Sequence, residues 1–155
     1  MGGSFPATAF QKGHLLLLIE HCIKKSPIHG LGVFTNERVT KGTSIWRFDP
    51  VLDRQIPEGE LSGFPDHVQR WIKKRAQFVP ARQVFILCAD GDLFMNHSAE
   101  PNMSSDDRQC FALRDIAVGE EITCDYRFTK VLDFEPPAVS ITLSEITEFQ
   151  SCTPF

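Results

Sequence analysis

The sequence has no pair of cysteines spaced as CxC or CxxC, which is the usual spacing in a structural zinc site. Its five cysteines are scattered, and they are Cys22, Cys88, Cys110, Cys124 and Cys152. An odd, dispersed set does not suggest a disulfide framework. From this pattern we expect no metal site and a reducing, intracellular setting.

Long hydrophobic runs are also absent. The longest, residues 15–19, is far shorter than the roughly 20 residues of a membrane-spanning helix or the roughly 7–15 of a signal-peptide core. The net charge of −4 gives no indication of nucleic-acid binding. We therefore expect neither a membrane nor a nucleic acid as a direct partner. The oligomeric state is left open.

The length of 155 residues fits one domain, and 42% hydrophobic residues suffice for a packed core. Residues 1–13 are small and polar, which is typical of a loose leader. Residues 131–155 contain four acids and neither Lys nor Arg. The composition thus predicts a leader at 1–13, a domain at 14–130 and a tail at 131–155.

Short apolar stretches separated by turns dominate the middle of the chain. The predicted strands cover residues 15–23, 33 onward, 44–48, 83–89, 93–95, 110–113 and 121–124, with an Asp-Gly hairpin turn at 90–91. One window differs, because Phe64, Val68, Trp71 and Ile72 recur at helical spacing after Pro57. These patterns predict a mostly β fold of several small sheets with a helical insertion at about 57–82.

Three segments combine polar residues and glycines and are candidates for a functional site. They are IHGLGVF at 28–34, FMNHSAEPN at 94–102 and RDIAVGEEITCDY at 114–126. Each alone fits a simpler interpretation. A GxG is usually a turn, an Asn-His pair is usually a buried and satisfied polar pair, and GEE is usually a turn with solvated acids.

In this order and spacing the three segments resemble the SET domain of protein lysine methyltransferases, over roughly residues 17–128. Residues 96–102 match the family's NHSxxPN motif, and residues 119–126 match its GEE(I/L)TxDY motif. The resemblance implies the SET fold of small β-sheets. In that fold the C-terminal segment threads beneath a loop near the NHS motif and forms a pseudoknot, an exception to the rule against threading.

The resemblance also implies S-adenosylmethionine as the cofactor. The residues that would bind it are Gly30, Leu31, Gly32, Phe94, Asn96, His97 and Phe134. The two glycines lack Cβ, which would let the backbone approach the methionine end of the cofactor. Asn96 and His97 would supply hydrogen bonds, largely from their backbone.

Tyr126, the single tyrosine of the chain, takes the catalytic position in this resemblance. Its hydroxyl would orient a lysine amine that has lost its proton, and alignment would supply much of the rate. Cys124, Tyr126 and Phe128 would line the substrate channel. Cys124 stands where many members have Phe or Tyr, and its small size predicts room for di- or trimethylated lysine.

The chain also departs from the family pattern. Ala99 stands where many members have a zinc-binding cysteine, and no CxC follows Tyr126, so the resemblance again implies no metal. Leu93 stands where the family often has Arg, which puts one cofactor contact in doubt. The tail would then close the cofactor or substrate site, and its aromatic candidates are Phe128, Phe134, Phe149 and Phe155.

The implied partner is a basic, lysine-containing protein or peptide, and histone lysine is one example. A second hypothesis is a SET-like module that binds a peptide or cofactor without turnover. Retention of Asn96, His97 and Tyr126 favours the enzyme.

Overall fold

The computed structural model describes residues 16–129, so the predicted leader and the whole of the predicted tail lie outside the described residues. The strands are β1 (His21–Lys25), β2 (Leu31–Thr35), β3 (Ser44–Arg47), β4 (Arg54–Pro57), β5 (Gln77–Val79), β6 (Val84–Leu87), β7 (Asn96–His97), β8 (Gln109–Phe111) and β9 (Glu121–Cys124). The α-helices are α1 (Asp66–Arg75) and α2 (Tyr126–Thr129), and 3₁₀-helices cover Glu58–Gly63 and Gly91–Phe94.

The strands form three small sheets that share one core. Their orders are β1-β2-β9-β7, β3-β8 and β4-β6-β5. The main hydrophobic cluster takes Val33 from β2, Trp46 from β3, Ile86 from β6, Cys110 from β8 and Ile122 from β9. Sheets of two to four short strands gain stability by burying a common apolar face. The predicted mostly β architecture of several small sheets is confirmed.

The helical insertion is confirmed between β4 and β5. Pro65 directly precedes α1, where its missing N–H costs nothing. Ile72 of α1 is buried in a second cluster with Phe78 and Phe85, whose ring centroids are 4.7 Å apart. Trp71, predicted on the apolar face, is 48% exposed, so that face is narrower than the sequence indicated. Within residues 16–129 no helix is long and apolar enough to cross a membrane.

The strand predicted at 15–23 is wrong in its first half, since β1 begins only at His21. Leu16, Leu17 and Ile19 are buried, as their apolar character requires. Their backbone groups bond outside a regular ladder. The amide of Leu17 donates to Asp90 Oδ2 at 2.6 Å, and the carbonyl of Leu16 accepts from Arg47 at 3.0 Å.

The hairpin predicted at Asp90-Gly91 and the strand at 93–95 are also wrong. A 3₁₀-helix covers Gly91–Phe94, and the Asp90 side chain accepts a hydrogen bond from the amide of Asp92 at 3.1 Å. An aspartate that bonds the amide two residues ahead favours a helix start over a hairpin. A Cβ at Gly91 would lie only 3.2 Å from side-chain atoms of Leu17 and Ile23, so close packing also favours glycine here.

β9, the last strand within the described residues, is threaded, as the resemblance implied. The amide of Ser98 donates to the carbonyl of Cys124 at 3.0 Å, and that of Met103 donates to the carbonyl of Thr123 at 3.1 Å. Carbonyls of successive residues in a strand point to opposite edges. The loop from Ser98 to Met103 therefore crosses β9 from one edge to the other, and β9 passes beneath it.

The buried side chain of Asn102 should stabilise this threaded arrangement. Its Oδ1 accepts from the amide of Thr123 at 2.9 Å, and its Nδ2 donates to the carbonyl of Glu121 at 2.7 Å. Asn102→Ala would leave buried groups of β9 without these partners, and should lower the free energy of unfolding by about 1–3 kcal/mol. Denaturant unfolding would measure this, with the exposed Asn36→Ala as the control. Equal stability of both variants would contradict the assigned role.

Candidate functional site

The three segments singled out in the sequence meet at Glu121, the first residue of β9. The Ser26 hydroxyl donates to Glu121 Oε2 at 2.9 Å, and Asn96 Nδ2 donates to Glu121 Oε1 at 2.8 Å. Ser26 lies two residues before the start of the first segment, and Asn96 opens the NHS motif. The second Glu of GEE is therefore a structural partner of both segments. Sequence reasoning missed this role, because a Glu beside a turn is usually solvated.

Asn96 fixes the glycine-containing turn. Its Nδ2 also donates to the carbonyls of His29 and Leu31, at 3.1 and 3.0 Å, and the residue is 7% exposed. The two hydrogens of this amide group are thus shared among three acceptors of the protein itself. The backbone of this segment is then the better candidate for contacts with a small ligand, as the sequence analysis expected.

Gly30 and Gly32 are required for two different reasons. Gly30 has φ +50°, a left-handed conformation that glycine adopts without strain, and nothing lies within 4 Å of the place its Cβ would take. At Gly32 a Cβ would lie 2.2 Å from Glu121 Oε1. Gly32 therefore makes room for the Glu121 carboxylate, a reason that the sequence analysis did not foresee. Leu31 between them is 47% exposed.

Tyr126 is held from both ends by the NHS segment. Its hydroxyl donates to the carbonyl of Met95, and its amide donates to His97 Nδ1 at 3.2 Å. Because His97 Nδ1 accepts, the proton of the neutral imidazole is assigned to Nε2. The two rings are 5.6 Å apart between centroids. Burial raises the pKa of the Tyr126 hydroxyl well above its usual value, so it remains protonated at neutral pH.

Asp125 stabilises the turn between β9 and α2. Its carboxylate accepts from Arg127 Nε at 2.9 Å and from Nη2 at 2.6 Å, and Arg127 lowers the pKa of Asp125. Ser105 bonds the backbone of Asp125 on the other side, at 3.1 Å to its amide. The polar residue before the tyrosine thus fixes where α2 begins.

The three predicted channel residues differ in their surroundings. Cys124 is buried in the main core, and burial raises its thiol pKa, so the thiol is neutral. β9 ends at Cys124 and Tyr126 begins α2, so the alternation of side chains along a strand does not place these two residues on the same face. Phe128 is 73% exposed within the described residues. Phe94 packs against the core, and Phe134, predicted at the cofactor, lies outside the described residues.

A group of acidic side chains with raised pKa values lies beside the NHS segment. Asp53, Asp90 and Asp92 all have raised pKa values, with burial as the largest cause. The pKa of Asp92 is about 7, and the Cys88 thiol is hydrogen-bonded to its carboxyl. The charge of Asp92 in turn raises the pKa of Tyr126, so this acid acts on the candidate catalytic residue.

The cysteines agree only in part with the sequence analysis. Cys88, Cys110 and Cys124 are buried free thiols. Cys22 is disulfide-bonded, so the scattered cysteines do not by themselves support a reducing setting. Among residues 16–129 no group of His, Cys, Asp or Glu side chains is arranged to hold a metal ion.

Gly32→Ala should be destabilising because its Cβ would collide with the Glu121 carboxylate. Overpacking of this kind costs about 1–3 kcal/mol in the free energy of unfolding. The matched control is Gly63→Ala, where nothing lies within 4 Å of the added Cβ. Chemical denaturation of both variants measures the difference. If Gly32→Ala were no less stable than Gly63→Ala, Glu121 would not occupy this space in solution.

Asp92→Asn should flatten the pH dependence of stability. The Asp92 pKa is about 7 in the folded protein, against the ordinary aspartate value of 3.8 in the unfolded chain. At pH values between these two, Asp92 is protonated in the folded protein and ionised in the unfolded chain. The free energy of unfolding therefore falls as pH rises through this range. The raised pKa values of Asp53 and Asp90 give the same pH dependence. Asp92→Asn should therefore reduce the slope of unfolding free energy against pH without abolishing it. Denaturant unfolding at a series of pH values tests this, with exposed Glu58→Gln as the control; an unchanged slope in Asp92→Asn would refute the assignment.

Comparison with known proteins identifies relatives of this chain. The family model described as "SET domain" matches residues 30–127, which include the second and third segments whole and the first segment from Gly30 onward. A Plasmodium falciparum (isolate 3D7) protein named "Putative histone-lysine N-methyltransferase 1" is 31% identical over 119 residues, or 68% of this chain. The chain spans about 2% of the length of that relative.

Two solved structures share the fold. A Plasmodium falciparum "putative histone methyltransferase" has a TM-score of 0.53 and 22% identity, over 70% of this chain and 93% of its own. A humanized mutant of the Chaetomium thermophilum Polycomb Repressive Complex 2, bound to an inhibitor, has a TM-score of 0.52 and 20% identity, over 70% of this chain and 15% of the other. With the family match over most of the chain, these findings lead to one conclusion: the chain belongs to the SET domain family.

Proposed function

We propose that this chain transfers a methyl group from S-adenosylmethionine to the side-chain amine of a lysine in a protein substrate. One observation carries the proposal. Asn96 bonds the Gly30 turn, while Met95 and His97 on either side of it bond Tyr126. The predicted cofactor turn and the predicted catalytic tyrosine are therefore held by three consecutive residues.

The residues present fit the cofactor. Those that would hold it are Gly30, Leu31, Gly32, Phe94, Asn96 and His97. Open space lies beside Gly30, where nothing is within 4 Å of a Cβ position, and Leu31 is partly open to solvent. When bound, the cofactor supplies an electrophilic methyl group on a cationic sulfur. Phe134 remains a prediction for the adenine end.

The role of Tyr126 follows from how its hydroxyl is held. The hydroxyl hydrogen is directed at the carbonyl of Met95, which leaves lone pairs of the oxygen for other contacts. A neutral oxygen fixed in this way can accept a hydrogen bond from an amine and weak C–H···O contacts from a methyl group. Alignment of an amine with a methyl carbon is the main requirement of an in-line displacement.

The amine must arrive without its proton, and the surroundings of Tyr126 favour that form. The Cys124 thiol beside it is neutral and buried in the apolar core. Apolar surroundings disfavour an ammonium. Cys124 is also smaller than Phe or Tyr, which supports room for an amine that already carries a methyl group.

The substrate class is part of the proposal. A basic, lysine-containing peptide fits lysine chemistry, and the named relative makes histone tails the first substrates to test. Such a substrate would place the protein inside the cell. The alternative is a module that binds peptide or cofactor without turnover. The Tyr126–Met95 bond would serve that module equally well, since it also stabilises α2, so turnover has to be measured.

Tyr126→Phe should separate the two functions. The change removes only the hydroxyl, so methyl transfer to histone peptides should fall at least about tenfold, which corresponds to about 1.4 kcal/mol of transition-state stabilisation. Affinity for S-adenosylhomocysteine should change little. Mass spectrometry of the peptides gives the rate and the number of methyl groups, and calorimetry gives the affinity.

The control is Asn36→Ala, an exposed residue outside the site, which should match the unmodified protein. A wild-type protein that binds S-adenosylhomocysteine but modifies no histone peptide or protein mixture would favour the binding module. Wild-type turnover that survives in Tyr126→Phe would remove Tyr126 from the chemistry.

A further inference from the structure

We propose that Arg75, the last residue of α1, is a positioning residue that fixes the backbone of Leu93 and Phe94 and so joins the helical insertion to the cofactor site. The inference rests on the proposed function, because Phe94 is one of the residues expected to bind the cofactor. It assigns a role in that site to the insertion.

Two contacts place the guanidinium of Arg75 against this segment. Its Nη1 donates to the carbonyl of Leu93 at 3.4 Å, and its Cζ lies 5.9 Å from the centroid of the Phe94 ring. Both distances are long, so each contact alone is weak. A planar guanidinium can make both at once to two successive residues, which a compact ammonium cannot do as well.

Arg75 extends from a rigid support. Ile72 and Ala76, on either side of it, are buried in the second hydrophobic cluster at 3% and 1% exposure. The amide of Ala76 donates to the carbonyl of Ile72 at 2.8 Å, which closes the last turn of α1. The backbone of Arg75 is thus held by the core of the insertion, and its side chain bridges from that core to the NHS segment.

The contacted segment leads directly to the candidate catalytic residue. Met95, which follows Phe94, provides the carbonyl that accepts the Tyr126 hydroxyl. A displacement of Leu93 and Phe94 would therefore move the acceptor of Tyr126. Burial raises the pKa of Tyr126, and the positive charge of Arg75 acts in the opposite direction, which agrees with a guanidinium close to this residue.

Lys74 provides a matched control. It lies next to Arg75 on the same helix turn and is exposed, and no hydrogen bond or ion pair of its side chain is seen within residues 16–129. Lys74→Gln and Arg75→Gln remove the same charge from adjacent positions. A difference in behaviour between these two variants is then due to the contacts that Arg75 makes, because both variants lower the charge of the helix equally.

Hydrogen exchange of the protein without any ligand tests the positioning role directly. The amides of Leu93 and Met95 are bonded within the 3₁₀-helix, to the carbonyls of Asp90 and Asp92. Arg75→Gln should make these amides exchange severalfold faster than in the wild type, while Lys74→Gln should not. Equal exchange in the two variants would overturn the proposal, whether or not the protein binds a cofactor.

Calorimetry with S-adenosylhomocysteine tests the link to the cofactor site. Arg75→Gln should weaken binding by about three- to tenfold with melting temperature nearly unchanged, because the contacts are exposed and lie outside the core. Arg75→Lys should fall between the wild type and Arg75→Gln. Binding by Arg75→Gln within twofold of Lys74→Gln would refute the link.

The two proposals fail in distinguishable ways. If the wild type itself does not bind S-adenosylhomocysteine, the proposed function is wrong, and the exchange experiment still decides whether Arg75 positions Leu93 and Phe94. If the wild type binds and Arg75→Gln behaves as the control in both experiments, only the role of Arg75 is refuted.

Discussion

The carboxylate of Glu121 is the interaction on which the candidate site depends. It accepts hydrogen bonds from Ser26 and Asn96, residues 95 and 25 positions away in the chain, and it fills the space beside Gly32. The backbone carbonyl of the same residue accepts from Asn102, which lies in the loop over β9. One residue therefore fixes the glycine turn, the NHS segment and the threaded strand relative to one another.

The side chains of the motif residues form most of their hydrogen bonds with other parts of the protein, because the short elements around them need this support. β7 has two residues and α2 has four, and elements of that length are not stable alone. Side chains supply what the short elements lack: Asn96 holds the turn, Asn102 holds β9, and His97 holds the start of α2. Polar side chains of an apparent ligand-binding motif thus build the site, and backbone groups and open space remain for a ligand.

The sequence predicted those parts of the structure that local pattern determines. β9 was predicted with its observed bounds, and α1 was predicted from its apolar spacing, since such periodicity is a local property of the sequence. The segment at 90–94 was mispredicted because Asp-Gly serves both a hairpin and a helix start, and the Asp90 side chain decides between them. Glu121 and Arg75 could not be assigned from sequence, because their partners are distant in the chain and were not identifiable before the fold was known.

Two charges of opposite sign act on the pKa of the Tyr126 hydroxyl. The charge of Asp92 raises the pKa of its hydroxyl and that of Arg75 lowers it, while burial exceeds both. The pKa of Asp92 is about 7, so its charge changes near neutral pH, whereas Arg75 stays charged. Since burial dominates, the hydroxyl keeps its proton in either state of Asp92. Its donation to the carbonyl of Met95 is therefore independent of pH in this range.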